Sequence, residues 1–183
     1  DGDIDVVVPD DDALTWLENP GRAGLAGERA WPVHVIGAQG ARAHDVEVGD
    51  VDGDGRVDVV TRPPHKGKKP HDGGIHLWRQ VSPDGWRFVE VSDHPGEGVA
   101  LADLDGDRDI DIVANGVWFR NAGKAASFAE LSFGHDVPEL VGVTVADLTG
   151  DGRLDVITGP SESADEPLVM FTTAGAGGRW DRQ

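Results

Sequence analysis

The residues in this chain best suited to chemistry are the aspartates of Asp50-Val51-Asp52-Gly53-Asp54-Gly55-Arg56-Val57-Asp58. Carboxylates fall at positions 1, 3, 5 and 9 of the stretch, and glycines stand at positions 4 and 6. At about 4 Å and an effective dielectric of about 20, each pair of such carboxylates repels by roughly 4 kcal/mol. A loop built this way makes sense around a cation. The donors are all oxygen, which points to a hard ion, and a flexible backbone loop favours Ca²⁺ over octahedral Mg²⁺.

The pattern recurs. A second copy runs Asp103-Leu104-Asp105-Gly106-Asp107-Arg108-Asp109-Ile110-Asp111, and a third Asp147-Leu148-Thr149-Gly150-Asp151-Gly152-Arg153-Leu154-Asp155. The chain opens on a half copy, Asp1-Gly2-Asp3-Ile4-Asp5. The expected metal-binding positions are therefore Asp50, Asp52, Asp54, Arg56 and Asp58, then Asp103, Asp105, Asp107, Asp109 and Asp111, then Asp147, Thr149, Asp151, Arg153 and Asp155. Asp1, Asp3 and Asp5 would form a partial fourth site. Thr149 leaves its loop one carboxylate short, so that site is expected to bind most weakly. Arg108 stands where the other complete loops have glycine, at a position where positive φ is usual and costs a side chain free energy.

An EF-hand shares the first half of this loop but needs a bidentate Glu at position 12 and flanking helices. Position 12 here is Thr61, Ala114 or Thr158, and Val59-Val60, Ile112-Val113 and Val156-Ile157 read as strand. The last ligand is instead the position-9 Asp, at the mouth of a strand. The position-9 aspartates Asp5, Asp58, Asp111 and Asp155 are spaced by 53, 53 and 44 residues, a period that marks a propeller or solenoid.

The elements that position these loops repeat with them. An alternating strand A precedes each complete loop: Val46–Gly49, Val99–Ala102 and Val143–Ala146. Each ends on a small residue, as a strand crowding a central axis requires. Strand B follows at Ile4–Val8, Val57–Val60, Ile110–Val113 and Leu154–Ile157. Strand C is bulky: Trp16–Asn19, Leu77–Gln80, Trp118–Asn121 and Met170–Thr173. Strand D opens on an aromatic, Trp31, Trp86, Phe128 or Trp180, with Ile36, Val91 or Phe133 five residues further on. These aromatics read as core between sheets, with carbohydrate stacking by an exposed Trp as the alternative.

Four strands per unit around a small-residue inner strand is β-propeller architecture. With its Asp loops followed at once by strands, the chain resembles the FG-GAP/VCBS-type calcium repeat family, whose members include integrin α-subunit heads, certain fungal lectins and aldos-2-ulose dehydratase-like enzymes. The resemblance implies an all-β propeller of four-stranded antiparallel blades with calcium-binding A–B loops. Residues 1–183 are expected to form one propeller segment with blades at about 1–42, 43–95, 96–139 and 140–183, holding three complete Ca²⁺ sites and a fourth partial one. The first unit lacks strand A and the last stops inside strand D, so further blades or self-association are expected to close the ring, and an upstream segment is expected.

The formal net charge is −18. Three bound Ca²⁺ would bring it to about −12. Acidity on this scale argues against nucleic acid as a partner. No apolar run approaches the length of a membrane span. The chain has no cysteine, which excludes disulfides and thiolate metal sites. Low-affinity calcium loops fill where Ca²⁺ is near millimolar, which favours an extracellular or periplasmic setting.

The A–B and C–D turns of a blade share one face, and the B–C and D–A connections share the other. Calcium loops decorate the first face. On the second lies the single basic cluster of the chain, Arg62-Pro63-Pro64-His65-Lys66-Gly67-Lys68-Lys69-Pro70-His71. His44 and Glu97 stand at matching places ahead of strand A. The expected role is a binding or scaffold module for carbohydrate or protein, with Arg62, His65 and His71 as ligand-binding candidates. The rival is a polysaccharide lyase or sugar dehydratase acting on an acidic glycan with His44 as acid or base near the central channel. No Ser-His-Asp order, phosphate loop or zinc spacing appears.

Overall fold

In a computed structural model of the chain, the residues described are 2, 4–10, 12–25, 30–38, 43–63, 74–139, 141–161, 167–173 and 179–183. The chain folds into four antiparallel sheets in sequence order. Blade 1 contains β1 (Val6–Pro9), β2 (Leu14–Leu17) and β3 (Val33–Gly37), with a short helix α1 (Gly21–Leu25) between the last two. Blade 2 contains β4 (Asp45–Gly49), β5 (Asp58–Arg62), β6 (Ile75–Ser82) and β7 (Gly85–Ser92). Blade 3 contains β8 (Val99–Ala102), β9 (Asp111–Ala114), β10 (Val117–Asn121) and β11 (Phe128–Ser132). Blade 4 contains β12 (Val141–Ala146), β13 (Asp155–Pro160), β14 (Val169–Thr173) and β15 (Trp180–Arg182). This is the expected β-propeller architecture. Some boundaries differ. In blades 2 to 4 strand B begins on the position-9 Asp itself, which pairs with the last residue of strand A, as Asp58 does with Gly49. Strand D of blade 1 opens at Val33, two residues past Trp31. Strand C of blade 1 runs Leu14–Leu17, two residues ahead of the expected span.

The sheets of blades 2 and 3 bury both faces, so adjacent residues of one strand serve different cores. Val59 packs with Trp78, Leu14 and Ile36 between blades 1 and 2, while Val60 joins Leu77, Ile112 and Phe119 between blades 2 and 3. Val113 and Trp118 turn the other way and meet Phe133, Val156 and Phe171 between blades 3 and 4. Burying a side chain of this size stabilises by roughly 1.5–3 kcal/mol, and here each such burial also fixes one blade on the next. The inner strands β4, β8 and β12 are neighbours around the axis. The small last residue of strand A is explained there, since a Cβ on Gly49 would lie 3.1 Å from Leu101 Cδ1.

The aromatics behave mainly as core. Trp78, Trp118, Phe119, Phe133 and Phe171 are buried. Trp16 is half-buried and stacks on His34, with ring centroids 4.1 Å apart.

The end of strand D faces the strand-C aromatic of the next blade at very short range. A Cβ on Gly134 would sit 2.6 Å from Phe171 Cε1. Gly134→Ala is predicted to lose about 1–3 kcal/mol by overpacking, seen as a lower melting temperature. Gly142→Ala, whose Cβ would meet nothing nearer than 3.9 Å, serves as the control and should leave it within a degree or two.

Candidate metal centres

The position-9 aspartates hold the loops together. Asp58 is fully buried. Its Oδ2 accepts the Val51 and Asp52 N–H groups at 3.1 and 3.3 Å, and its Oδ1 accepts the Gln80 N–H of strand C at 2.9 Å. Asp111 repeats this with Leu104 and Asn121 at 3.0 and 2.8 Å. Asp155 accepts from Leu148 and Thr149 at 3.0 and 3.1 Å. In blade 1, Asp5 Oδ1 accepts the Asn19 N–H at 2.8 Å. In blades 2 and 3 one carboxylate thus ties loop, strand B and strand C.

The position-1 aspartates wind the rest of the turn. Asp50 accepts from Asp54 and Gly55, each at 2.9 Å. Asp103 accepts from Gly106 and Arg108 at 2.9 and 3.0 Å. Asp147 accepts from Gly150 and Gly152 at 2.8 and 2.9 Å. These bonds need left-handed backbone at position 6. Gly55 and Gly152 supply it at φ 88° and 82°, and Arg108 is forced to 78°.

Two loops gather carboxylates as expected. Asp50, Asp52 and Asp58 offer oxygens within 4.8 Å of one another, and so do Asp103, Asp105 and Asp111. The blade-4 loop, with Thr149 at position 3, adds no third such group among the described residues. The position-5 aspartates turn partly away. Asp54 pairs with Arg56, and Asp151 with Arg153 Nη2 at 2.5 Å. Asp107 and Asp109 extend the acidic stretch of blade 3, where Asp107 Oδ1 accepts the Asp109 N–H at 2.9 Å. Asp1 and Asp3 lie outside the described residues.

Close packing makes these carboxylates hard to ionise. Burial pushes Asp58 above the usual range, against the bonds it accepts. Asp111 is pushed up to about 7, first by burial and then by Asp105 and Asp107. Asp105 is raised by burial and by Asp107, while Arg120 opposes the shift. An all-oxygen donor set whose members resist ionisation together fits a hard dication, which would relieve both desolvation and repulsion.

The opposite rim corrects one expectation. Arg62 does not belong to an exposed basic cluster. Strand B runs on through it, paired with Asp45, and its side chain is fully buried. The guanidinium donates to the carbonyls of Pro95, Glu97 and Gly98 at 2.6, 3.0 and 2.7 Å and to Asn115 Oδ1 at 2.6 Å. Burial lowers its pKa to about 10, with Asp45 and Glu97 opposing. Arg62 therefore fastens blade 2 to the D–A connection entering blade 3, and its one unpartnered donor, Nε, is buried. His44 sits beside it in the expected place, 40% exposed, with Nδ1 3.6 Å from Asp45 Oδ2 and 3.8 Å from Glu97 Oε2. Glu97, buried, accepts from Ser161 Oγ of blade 4 at 3.1 Å. Blades 2, 3 and 4 meet at this polar cluster. Sequence reasoning placed His44 and Glu97 there but gave no sign of Asp45 or of the bonds made by Asn115 and Ser161, for which no repeated signal exists. His65 and His71 lie outside the described residues.

Four-stranded blades with an acidic loop between strands A and B define a repeat-propeller class of protein. Residues 1–61 match the family model described as FG-GAP-like repeat, so the chain carries that repeat. The chain is similar to cartilage acidic protein 1 of Homo sapiens, 28% identical over 148 residues that cover 69% of this chain and 21% of the relative. The Mus musculus protein of the same name is 27% identical over 69% of this chain and 22% of the relative. The chain thus spans about a fifth of the length of these relatives.

The raised Asp111 has a defined pH consequence. Its folded form holds a proton more tightly than the unfolded chain, so its contribution to metal-free stability is complete below about pH 4 and lost as pH rises through about 7. Calcium would displace that proton. Calorimetric titration at pH 6 in buffers of differing ionisation heat is predicted to show proton release on calcium binding that fades by pH 8. Absence of release at pH 6 would contradict the assignment.

Proposed function

We propose that this chain is a calcium-stabilised β-propeller module of an extracellular or periplasmic protein, and that it binds or scaffolds a carbohydrate or protein ligand on the rim opposite the calcium loops. Ca²⁺ would be held by the position-1, position-3 and position-9 aspartates of blades 2 and 3 and, with one carboxylate fewer, by Asp147, Thr149, Asp151 and Asp155 of blade 4. Its role there is structural.

The observation that carries this reading is the contrast between the two rims. On one, the A–B loops share the same aspartate bonds from blade to blade. On the other, the B–C connections differ. They comprise Asp10–Ala13 in blade 1, twelve residues (63–74) in blade 2, Asn115-Gly116 in blade 3 and eight residues (161–168) in blade 4. Variable loops on a repeated scaffold are where specificity is placed. Recognition on that rim falls to His44 and the basic stretch 64–73, with Arg62 as their support. The name of the relatives, which ties them to cartilage and calls them acidic, accords with the setting and with the net charge of −18.

Net acidity opposes nucleic acid as a partner. Among the described residues no helix is long and apolar enough to cross a membrane. Apolar side chains stay exposed on the two outer blades, at Val33 and Val35 (each 63%) and at Leu168 (71%). Further blades or a second copy would cover them.

The rival reading, a lyase or dehydratase for acidic glycans, keeps one supporting observation: His44 is accessible and flanked by two carboxylates. Arg62 beside it is buried and bonded to the D–A connection and Asn115.

The test is binding to a panel of acidic glycans and matrix proteins with calcium present, using Lys66, Lys68 and Lys69 changed together to Ser. Binding to anionic ligands is predicted to weaken several-fold and to fall with added salt, with the melting temperature unchanged. Unaltered binding would remove the loop from the site. Unsaturated product absorbing in the ultraviolet would establish the enzyme reading instead.

A further inference from the structure

In blade 2 the aspartate at position 3 is bonded by an arginine of strand C, and blade 3 carries an arginine at the matching strand position. In blade 2, Arg79 Nε donates to Asp52 Oδ2 at 2.7 Å, and Arg79 Nη2 bonds the same oxygen. The Asp52 side chain is 1% exposed and that of Arg79 24%, so water screens the pair little. Arg120 holds the same place on strand C of blade 3, where its charge acts on Asp105. In blade 4 both partners are absent together, since position 3 is Thr149 and the strand-C residue is Thr172.

An arginine lodged against a ligand carboxylate opposes a dication in two ways. It repels the ion directly, and it occupies an oxygen the ion would use. It also satisfies that buried carboxylate when no ion is bound. We propose that Arg79 and Arg120 are built-in counter-cations that lower the calcium affinity of blades 2 and 3 while supporting their metal-free loops. The paired loss in blade 4 then compensates for its missing carboxylate. The four loop aspartates of blade 2 taken with Arg56 and Arg79, and the three of blade 4 taken with Arg153, both sum to a net charge of −2, while the five of blade 3 taken with Arg108 and Arg120 sum to −3. This inference rests on the calcium reading above.

The experiment is a calcium titration followed through the amide resonances of Gly55, Gly106 and Gly152, one per loop. If none of them shifts in the unaltered protein, the calcium reading fails and the inference with it. Given binding, Arg79→Gln should tighten the Gly55 transition by about tenfold and leave Gly152 unmoved. The chelated variant should melt lower, and calcium should restore most of the loss. Arg79→Lys should stay near the unaltered protein. Asp52→Thr should weaken the site, and Asp52→Thr with Arg79→Thr should recover part of that loss. Unchanged or weaker affinity in Arg79→Gln, with equal melting loss with and without calcium, would make Arg79 a structural bridge only and overturn the inference. Should Arg79→Gln not fold, Arg120→Gln decides, because Asp105 is exposed. Tightening at Gly106 is expected there, and no change would overturn the inference.

Discussion

The fold depends on one recurring interaction, a buried carboxylate at the start of strand B that accepts N–H groups from its own loop and, in blades 2 and 3, from strand C. The arrangement costs ionisation energy, as the raised Asp58 and Asp111 show. It also replaces the backbone partners that a tight A–B turn cannot otherwise find. The loops are therefore pre-wound by their own aspartates, and their remaining lone pairs converge. A hard cation is the species whose binding would convert that repulsion into stabilisation.

The loops also reach beyond their own blades. Asn121 of blade 3 donates from Nδ2 to the Val51 carbonyl in the blade-2 loop at 2.8 Å, and the Val51 side chain belongs to the core between those blades. Leu104 does the same between blades 3 and 4. On the far rim Arg62 and Glu97 cross the same boundaries through hydrogen bonds. Adjacent blades are thus joined by an apolar layer clamped at the loop rim and again near the axis on the other side. Ordering a loop would order the neighbouring blade, which links metal binding to the stability of the whole stack.

Much of this was legible in the sequence because the chemistry repeats. The aspartate spacing, the alternation before it and the apolar run after it gave the loops, the strands and their order. What escaped notice lies in contacts between repeats. Arg62 precedes Pro63-Pro64-His65-Lys66 and reads as the start of a basic loop. Its burial comes from the connection 93–98, which packs over it from the next blade. Arg79 and Arg120 recur at one position of strand C, yet their link to position 3 emerges only when strand C is laid beside the loop. Asn115 and Ser161 occur once each, so no period could reveal them.

The central claim is that calcium in these loops holds the propeller together. The most direct measurement is thermal melting of the protein in excess calcium and in excess chelator. Ligand linkage predicts a higher melting temperature in calcium that rises with its concentration, and Asp58→Ala should remove much of the dependence. Superimposable melting curves with and without chelator would contradict the account.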